Sequence, residues 1–294
     1  MTYKMILGDR THSSWSLRGW LLAQLSGAEI DTQYLRFEDA PVSEQLQAYG
    51  PGCTVPLLVT PEGVAVDDSL AIAEELAQRF PDGTIWPEDP KARAIARTLV
   101  ATMHSGFMTL RNECPMDLAR AYSGVPISEA LQKDLNQLEY LWSSARDATG
   151  SGDGWLCGAY SAADAFYAPV AARIAGFNLP VSAQARQYVQ LHLDHTWFRQ
   201  WRAIGLAVDT PLDRYSQTWT RSDWPREHDL ANLPTARKTA FGTAENPKCP
   251  YSGKPATWLM EIDGRIFGFC NQTCRDKTVA DPGAWPPFMD LYHS

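Results

Sequence analysis

No stretch of this chain stays apolar for the roughly 18 to 20 residues that a bilayer-crossing helix takes, so no membrane span is expected. The opening run Met1-Thr2-Tyr3-Lys4-Met5-Ile6-Leu7-Gly8 is too short and too soon charged for a secretory signal, which predicts a cytoplasmic protein. Positive charge is scarce as well. Lys and Arg number 26 against 34 Asp and Glu, a net charge of −8. A phosphate backbone or an anionic membrane surface calls for clustered cations, so neither nucleic acid nor membrane is expected as a partner. Internal repeats and low-complexity tracts are absent. Cysteines are few, six in 294 residues, and in a reducing compartment they predict thiols or metal ligands, not disulfides.

What is present is ordinary globular composition, 45% hydrophobic and 20% charged, with an unusual 11 tryptophans that point to aromatic cores or apolar pockets. Length predicts about two domains and room for a small third. Residues 1–82 alternate short apolar strands with amphipathic helices, which reads as a small α/β domain. Strands are expected at 3–7, 32–37, 55–60 and 64–66, and helices at 15–25 and 69–80. After a linker, residues 91–207 are helical throughout, with helices predicted at 91–111, 127–148, 162–176, 183–193 and 195–206. Residues 208–248 are rich in Pro, Arg, Asp and Thr without a period and read as an extended connection. Dense patterning returns in 249–294.

Chemistry gathers first at Thr11-His12-Ser13-Ser14-Trp15-Ser16-Leu17-Arg18, between the first strand and the first helix. Unpaired N–H groups and the positive end of the helix dipole suit a thiolate there. The plain alternative for a serine at this place is an N-cap. Val55-Pro56 opens a strand where proline is unusual, which fits a cis-proline that exposes the Val55 backbone to an extended peptide. Asp67-Asp68-Ser69 then opens a second helix N-terminus, ready for a carboxylate or, again, merely capped.

These elements in this order resemble the glutathione transferase superfamily. The serine string is most similar to its zeta-like branch and to bacterial members that share the Ser-Ser-Trp-Ser start. Met103-His104-Ser105-Gly106-Phe107, Leu110-Arg111, Pro115-Met116 and Gly158-Ala159-Tyr160-Ser161-Ala162-Ala163-Asp164 extend the resemblance across residues 3–207. It implies a thioredoxin-like N-terminal domain, an all-helical C-terminal domain and a homodimer. It further implies that Ser13, with Ser14, favours the glutathione thiolate, that Val55 and Pro56 hold the cysteinyl backbone, and that Asp68 and Ser69 hold the γ-glutamyl end. Trp15, His104 and Arg111 would border the pocket of a small hydrophobic or diacid electrophile, to be conjugated or isomerised in the manner of maleylacetoacetate. Arg18 and Arg111 are the cations for a diacid, and ordinary helix packing is the alternative for His104 and Arg111. One departure is that Cys53-Thr54 stands where the family often has Gly-Lys, so the lysine for the glycine carboxylate of glutathione is absent.

The tail carries a separate signal. Cys249-Pro250-Tyr251-Ser252-Gly253 precedes a hairpin turning at Asp263-Gly264, followed by Cys270-x-x-x-Cys274. Knuckle, hairpin and helix follow one another as in treble-clef zinc modules, and the Phe-Cys-x-x-x-Cys core is similar to the YHS and TRASH metal-binding modules. Ser252 stands where a full knuckle has its second cysteine. Cys249, Cys270 and Cys274 would thus need a fourth ligand from water, His228, His293, Asp276 or outside. Zn(II) is the first expectation and Cu(I) the second, and a metal-free remnant held by its apolar core is the alternative. If the tail is the working part, the body is a glutathione-binding scaffold for a metal- or thiol-responsive protein. Four Lys and Arg against five Asp and Glu from Cys249 onward give the tail no DNA-reading face.

Overall fold

The short apolar strands of the first eighty residues pair into one mixed sheet. β1 (Tyr3–Leu7) is buried along nearly its whole length and runs parallel to β2 (Ile30–Tyr34). The connection between them is α1 (Ser14–Ser26), as a crossover between parallel strands requires. A short helix, α2 (Val42–Gln45), precedes β3 (Leu57–Val59), which runs antiparallel to β1 and to β4 (Ala65–Val66). Sheet order is β2-β1-β3-β4, and α3 (Ser69–Arg79) follows. The Val55–Pro56 bond is cis. Gly19 of α1 lies so close to Pro56 that an added Cβ would sit 2.5 Å from the proline Cβ, which is why that helix turn carries no side chain. The structure, a computed structural model, describes residues 2–50, 53–225 and 233–294.

The helical region begins with α4 (Pro90–Ser105), capped by Asp89. The single helix expected over 91–111 is broken. At Gly106 the chain turns extended, Phe107 takes a left-handed φ of 59°, and α5 (Met108–Glu113) starts afresh. A Cβ on Gly106 would meet the Thr102 carbonyl at 2.7 Å, so the break needs the glycine that the apolar spacing hid. Next come β5 (Ala121–Ser123), α6 (Glu129–Thr149) and α7 (Ala162–Gly176). Every residue of α7 is buried, so the helix is the centre of its layer. Asp164 holds its start, accepting hydrogen bonds from the Ser161 N–H, the Leu156 N–H and the Tyr188 hydroxyl. After α8 (Ala183–Asp194) comes α9 (Thr196–Val208).

The chain divides into two compact units, Met1–His192 with Leu212–Pro225 and Leu193–Pro211 with Arg226–Ser294. Residues 208–248, expected to be extended, hold two short strands. β6 (Thr220–Ser222) pairs with β5 in the first unit, and β7 (Arg237–Thr239) belongs to the second. In the second unit, β7 joins β8 (Trp258–Ile262) and β9 (Arg265–Phe269) in an antiparallel sheet. The β8–β9 turn has positive φ at both Asp263 and Gly264, as a type I′ turn demands. α10 (Gln272–Ala280) and α11 (Pro286–His293) complete it. Its core joins Ala203 of α9 to Met260, Ile262, Phe267, Phe269 and Phe288. Among the described residues, no helix is long and apolar enough to cross a membrane.

A buried fork fixes α9 within the second unit. Arg199 donates to both carboxylate oxygens of Asp281, at 2.9 and 2.8 Å, with both side chains under a tenth exposed. Gly283 is small because a Cβ there would stand 2.6 Å from the Arg199 guanidinium. Removing one partner of such a pair strands a charge in apolar surroundings. Asp281→Ala is expected to lower the stability of the second unit by about 3 kcal/mol in urea unfolding, and Arg199→Met with Asp281→Leu to recover most of that loss.

Candidate active site

The first unit holds a cavity of about 550 Å³ at the start of α1. Ser13, Ser14 and Trp15 line it from one side, Thr54 and Val55 from another, and Met108, Arg111 and Arg173 from the helices. A larger recess of about 740 Å³ follows the linker near Trp86 and Tyr160. Two of its charged groups are committed to folding, with Asp89 capping α4 and Arg93 held by the Pro87 and Glu88 carbonyls. The smaller cavity is the one that brings the serine string, Val55 and two arginines together.

The two serines of the string differ in what they have left to give. Ser13 is the N-cap of α1. Its oxygen accepts from the Ser16 N–H at 3.2 Å, and its hydroxyl donates to Ser16 Oγ at 2.8 Å. Ser16 Oγ also accepts from the Gly8 N–H, so Ser13 is wired into the β1–α1 junction. Ser14 stands one residue further, in the first turn, where N–H groups have no helical acceptor. Its oxygen accepts from Arg173 Nη2 at 3.4 Å. An acceptor contact leaves the Ser14 proton available to a ligand.

Three arginines make this region electropositive. Arg173 is fully buried, donates from Nε to the Cys114 carbonyl and from Nη1 to the Pro169 carbonyl, and is brought down to about 10 by burial and by repulsion from Arg111. Arg111 lines the cavity but spends Nε and Nη2 on the last carbonyls of α4, those of Met103, His104 and Gly106. It thus closes the helix end that Gly106 breaks. Arg18 is fully buried, and burial together with Arg111 and Arg173 lowers its pKa well below that of an ordinary guanidinium. Its guanidinium lies 5.2 Å from the Trp15 ring and 5.0 Å from the Phe166 ring, and that of Arg111 lies 4.9 Å from Trp15. Trp15, 40% exposed, is flanked by two cations.

The remaining expected residues lie elsewhere. Pro56, Asp68, Ser69 and His104 do not line this cavity. Asp68 caps α3, accepting from the Leu70 and Ala71 N–H groups at 2.8 and 3.1 Å, and its other oxygen is 3.1 Å from His104 Nε2. His104 thus meets the start of α3. The Ser69 hydroxyl is buried and has no protein hydrogen-bond partner among the described residues. Thr54, in the place of the missing lysine, donates to the Asp67 carbonyl, and Cys53 packs with Ile6, Leu46 and Leu57. Sequence reasoning missed Arg173 as well as Tyr215, which lines the cavity from the stretch read as a connection. An arginine nine residues beyond Asp164, on a helix otherwise without long cations, was the available signal for the first. Nothing in the composition of 208–248 marked the second.

With this geometry in view, the comparisons are informative. Residues 12–79 match the family described as glutathione S-transferase, N-terminal domain. The chain has the glutathione transferase fold. A glutathione transferase homologue from Burkholderia gl BGR1, solved with bound glutathione, is 22% identical, with 68% of this chain and 96% of that one covered at a TM-score of 0.50. Omega 2S glutathione transferase from Trametes versicolor is also 22% identical, covering 70% of this chain and 94% of its own, at 0.53. Such identities speak for fold alone. In sequence, a maleylacetoacetate isomerase of Rattus norvegicus is 27% identical over 177 residues, 59% of this chain and 78% of that protein. A probable maleylacetoacetate isomerase of Caenorhabditis elegans is 34% identical over 103 residues, and the match spans 47% of that relative. The family match covers the first domain, and the likeness to solved structures shows the fold.

In the second unit the three expected cysteines do meet. The sulfurs of Cys249, Cys270 and Cys274 lie within 4.8 Å of one another. Asn271 caps α10 by accepting from the Cys274 N–H, which sets Cys274 on the first turn and Cys270 just before the cap, with their sulfurs 3.9 Å apart. Burial pushes the Cys249 thiol up, but N–H and O–H donors from Cys270, Tyr251 and Ser252 outweigh it and bring the thiol down to about 7. Of the expected fourth ligands, Asp276 is paired with Lys238 at 2.8 Å and Arg275 at 2.7 Å. His293 is not in the cluster, and His228 lies outside the described residues.

His12, on the cavity wall, is brought down to about 4 by burial, with Arg120 and Arg214 adding repulsion. Its Nδ1 is 2.8 Å from the Thr11 hydroxyl, and Nε2 is 3.9 Å from Asp117. The ordinary imidazole value is about 6.5, so between 6.5 and 4 the unfolded chain binds a proton that the folded chain refuses. The His12 contribution is therefore intact above pH 6.5 and is lost as pH falls towards 4, by up to about 3 kcal/mol. Urea unfolding at pH 7, 6, 5 and 4.5 is expected to show a shallower acid loss in His12→Gln than in the parent chain.

Proposed function

We propose that the chain is a serine-type glutathione-dependent enzyme of zeta-like character, acting as a homodimer on a small electrophile. The observation that carries this reading is the Ser14 hydroxyl. It stands in the first turn of α1, lines the cavity, accepts from the buried Arg173 and keeps its proton for a ligand. Its bond pattern favours Ser14 over Ser13 as the hydroxyl that meets the glutathione sulfur. The thiol releases its proton to solvent, and the thiolate accepts hydrogen bonds from Ser14 and the helix N–H groups. Lowering a thiol by two pKa units takes about 2.7 kcal/mol of preference for the anion, within reach of a helix terminus, one hydroxyl and a nearby guanidinium. Val55 borders the same cavity and suits the cysteinyl backbone. The buried Ser69 hydroxyl and the Asp68 carboxylate suit the carboxylate and ammonium of the γ-glutamyl end.

The sulfur then adds to an electron-poor carbon. If the adduct is kept, the reaction is conjugation. If the carbon–sulfur bond breaks after rotation about the carbon–carbon bond, a cis alkene leaves as trans. Relatives named maleylacetoacetate isomerase and the cationic wall around Trp15 favour isomerisation of a maleyl-type diacid.

The sulfur cluster supports a second reading for the tail. Three sulfurs within 4.8 Å, under N–H and O–H donors, fit a thiophilic ion such as zinc, with Cys249, Cys270 and Cys274 as ligands. In this reading the tail serves as a metal- or thiol-responsive module carried on a glutathione-binding body.

Isomerisation of a maleyl-type diacid in the presence of glutathione separates the two serines. Ser14→Ala is expected to lower kcat/KM by about 10²-fold with little change in glutathione affinity. Ser13→Ala is expected to cost about 1 kcal/mol of stability through the lost cap, and much less activity. Unchanged turnover in Ser14→Ala would refute the role given to Ser14.

A further inference from the structure

We infer that the thiolate cluster of the second unit is an open metal centre whose fourth, solvent-side position is reserved for an exchangeable low-molecular-weight thiolate. This rests on the metal reading just given and goes beyond it.

The corners of the site are unequal. Cys249 is buried in the apolar core, whereas Cys270 and Cys274 are only partly covered. Ser252 is exposed, and its hydroxyl donates to Cys270 Sγ at 3.2 Å. The knuckle from Cys249 to Lys254 is pinned by the Gly253 N–H on the Cys249 carbonyl and the Cys249 N–H on the Lys254 carbonyl. Its backbone thus brings position 252 to the cluster, as a fourth cysteine would be brought. A neutral hydroxyl is a poor ligand for a thiophilic ion, and no fourth Cys, His, Asp or Glu joins the three among the described residues. Three protein ligands and one open corner is the pattern of sites that exchange a small molecule, in contrast to closed structural ones.

Charge favours a divalent ion. Lys277 lies on the inner side, with Nζ 4.0 Å from the Tyr251 ring and 3.7 Å from the Trp285 ring, and interacts electrostatically with all three cysteines. Three thiolates, one divalent cation and this ammonium sum to zero. The open corner then takes water or a soft anion, and a thiolate binds a thiophilic ion far better than water does. As it binds, the incoming thiol releases its proton to solvent and its sulfur displaces the water. No electron moves. Ser252 sets the corner's exposure, and its substitution by cysteine would close it.

The full chain, purified under reductant, stripped of metal and freed of small thiols, is loaded with Co(II) without oxygen and titrated with 2-mercaptoethanol while the absorption spectrum is followed. One ion per chain is expected, with sulfur-to-cobalt charge-transfer bands that intensify and saturate as the thiol is added. Ser252→Cys is expected to show the intensified spectrum without added thiol, to ignore the titrant and to hold the ion at least about tenfold more tightly. Cys270→Ser should weaken binding in either background. If the parent chain binds one ion but its spectrum is indifferent to thiol, the open position is refuted and the metal reading stands. If no ion is retained by the parent chain or by Ser252→Cys, the metal reading itself falls and the inference falls with it. Glutathione binding by Ser14→Ala and parent chains is independent of both outcomes.

Discussion

A buried hydroxyl, Ser16 Oγ, holds the first domain's chemistry in place. It accepts the Gly8 N–H from the end of β1 and the Ser13 hydroxyl from the cap of α1, each at 2.8 Å. Strand end and helix start are thereby locked to one another through a side chain with no exposure to water. The lock fixes where the first-turn N–H groups point and where Ser14 stands. A preorganised donor stabilises an anion without reorganising when the charge appears, and that is its advantage over water. Gly19, one turn further along, lets the same helix lie against Pro56, so the Val55 side of the cavity is set by the same placement.

Around this frame the first unit stores positive charge. Arg18 and Arg173 are fully buried and Arg111 nearly so, and burial penalises each charge. None of the three makes a close carboxylate pair among the described residues. Carbonyls of Met103, Gly106, Cys114 and Pro169 and the faces of Trp15 and Phe166 compensate only in part. Such an arrangement is costly for the empty protein and favours an anion in the cavity that Arg111 and Arg173 line. A thiolate and the carboxylates of a diacid would both gain from the same field.

Much of this was legible in the sequence wherever the controlling interaction was local. The Asp263-Gly264 turn, the short apolar runs of the strands and the clustering of three cysteines all follow from neighbours within a few residues or from a fixed spacing. What stayed hidden was set by groups distant in sequence. Two adjacent serines look equivalent in sequence. The bond from Ser13 to Ser16 and the contact of Ser14 with Arg173, 159 positions away, tell them apart. The break at Gly106 was hidden because apolar spacing runs on through Leu110, while Arg111 was needed to satisfy the freed carbonyls. Asp276 was one of several expected fourth ligands, but Lys238, from the stretch read as an extended connection, pairs with it. The helix 195–206 was found from its periodicity, but its attachment to Asp281 could not be, since a single Arg–Asp fork 82 residues apart leaves no pattern.

In the readings proposed for the two units, sulfur anions are stabilised by one physical device. In the first, helix N–H groups and Ser14 face an open cavity, so any sulfur they stabilise arrives with a ligand. In the second, backbone N–H groups and the Ser252 hydroxyl face sulfurs that belong to the chain. Hydrogen bonds to sulfur lower its proton affinity in both places, but the consequences diverge. A mobile thiolate is a nucleophile and leaves with its product. Three fixed thiolates repel one another unless something positive joins them. Lys277 supplies one charge, which is too little for three, so the cluster is balanced only with a cation in its midst or with some of its thiols protonated. The lifting of Cys274 to about 11 fits the protonated state of the metal-free cluster. Under both proposals a serine hydroxyl donates to sulfur, and whether the result is reactive or structural depends on which side of the hydrogen bond is free to leave.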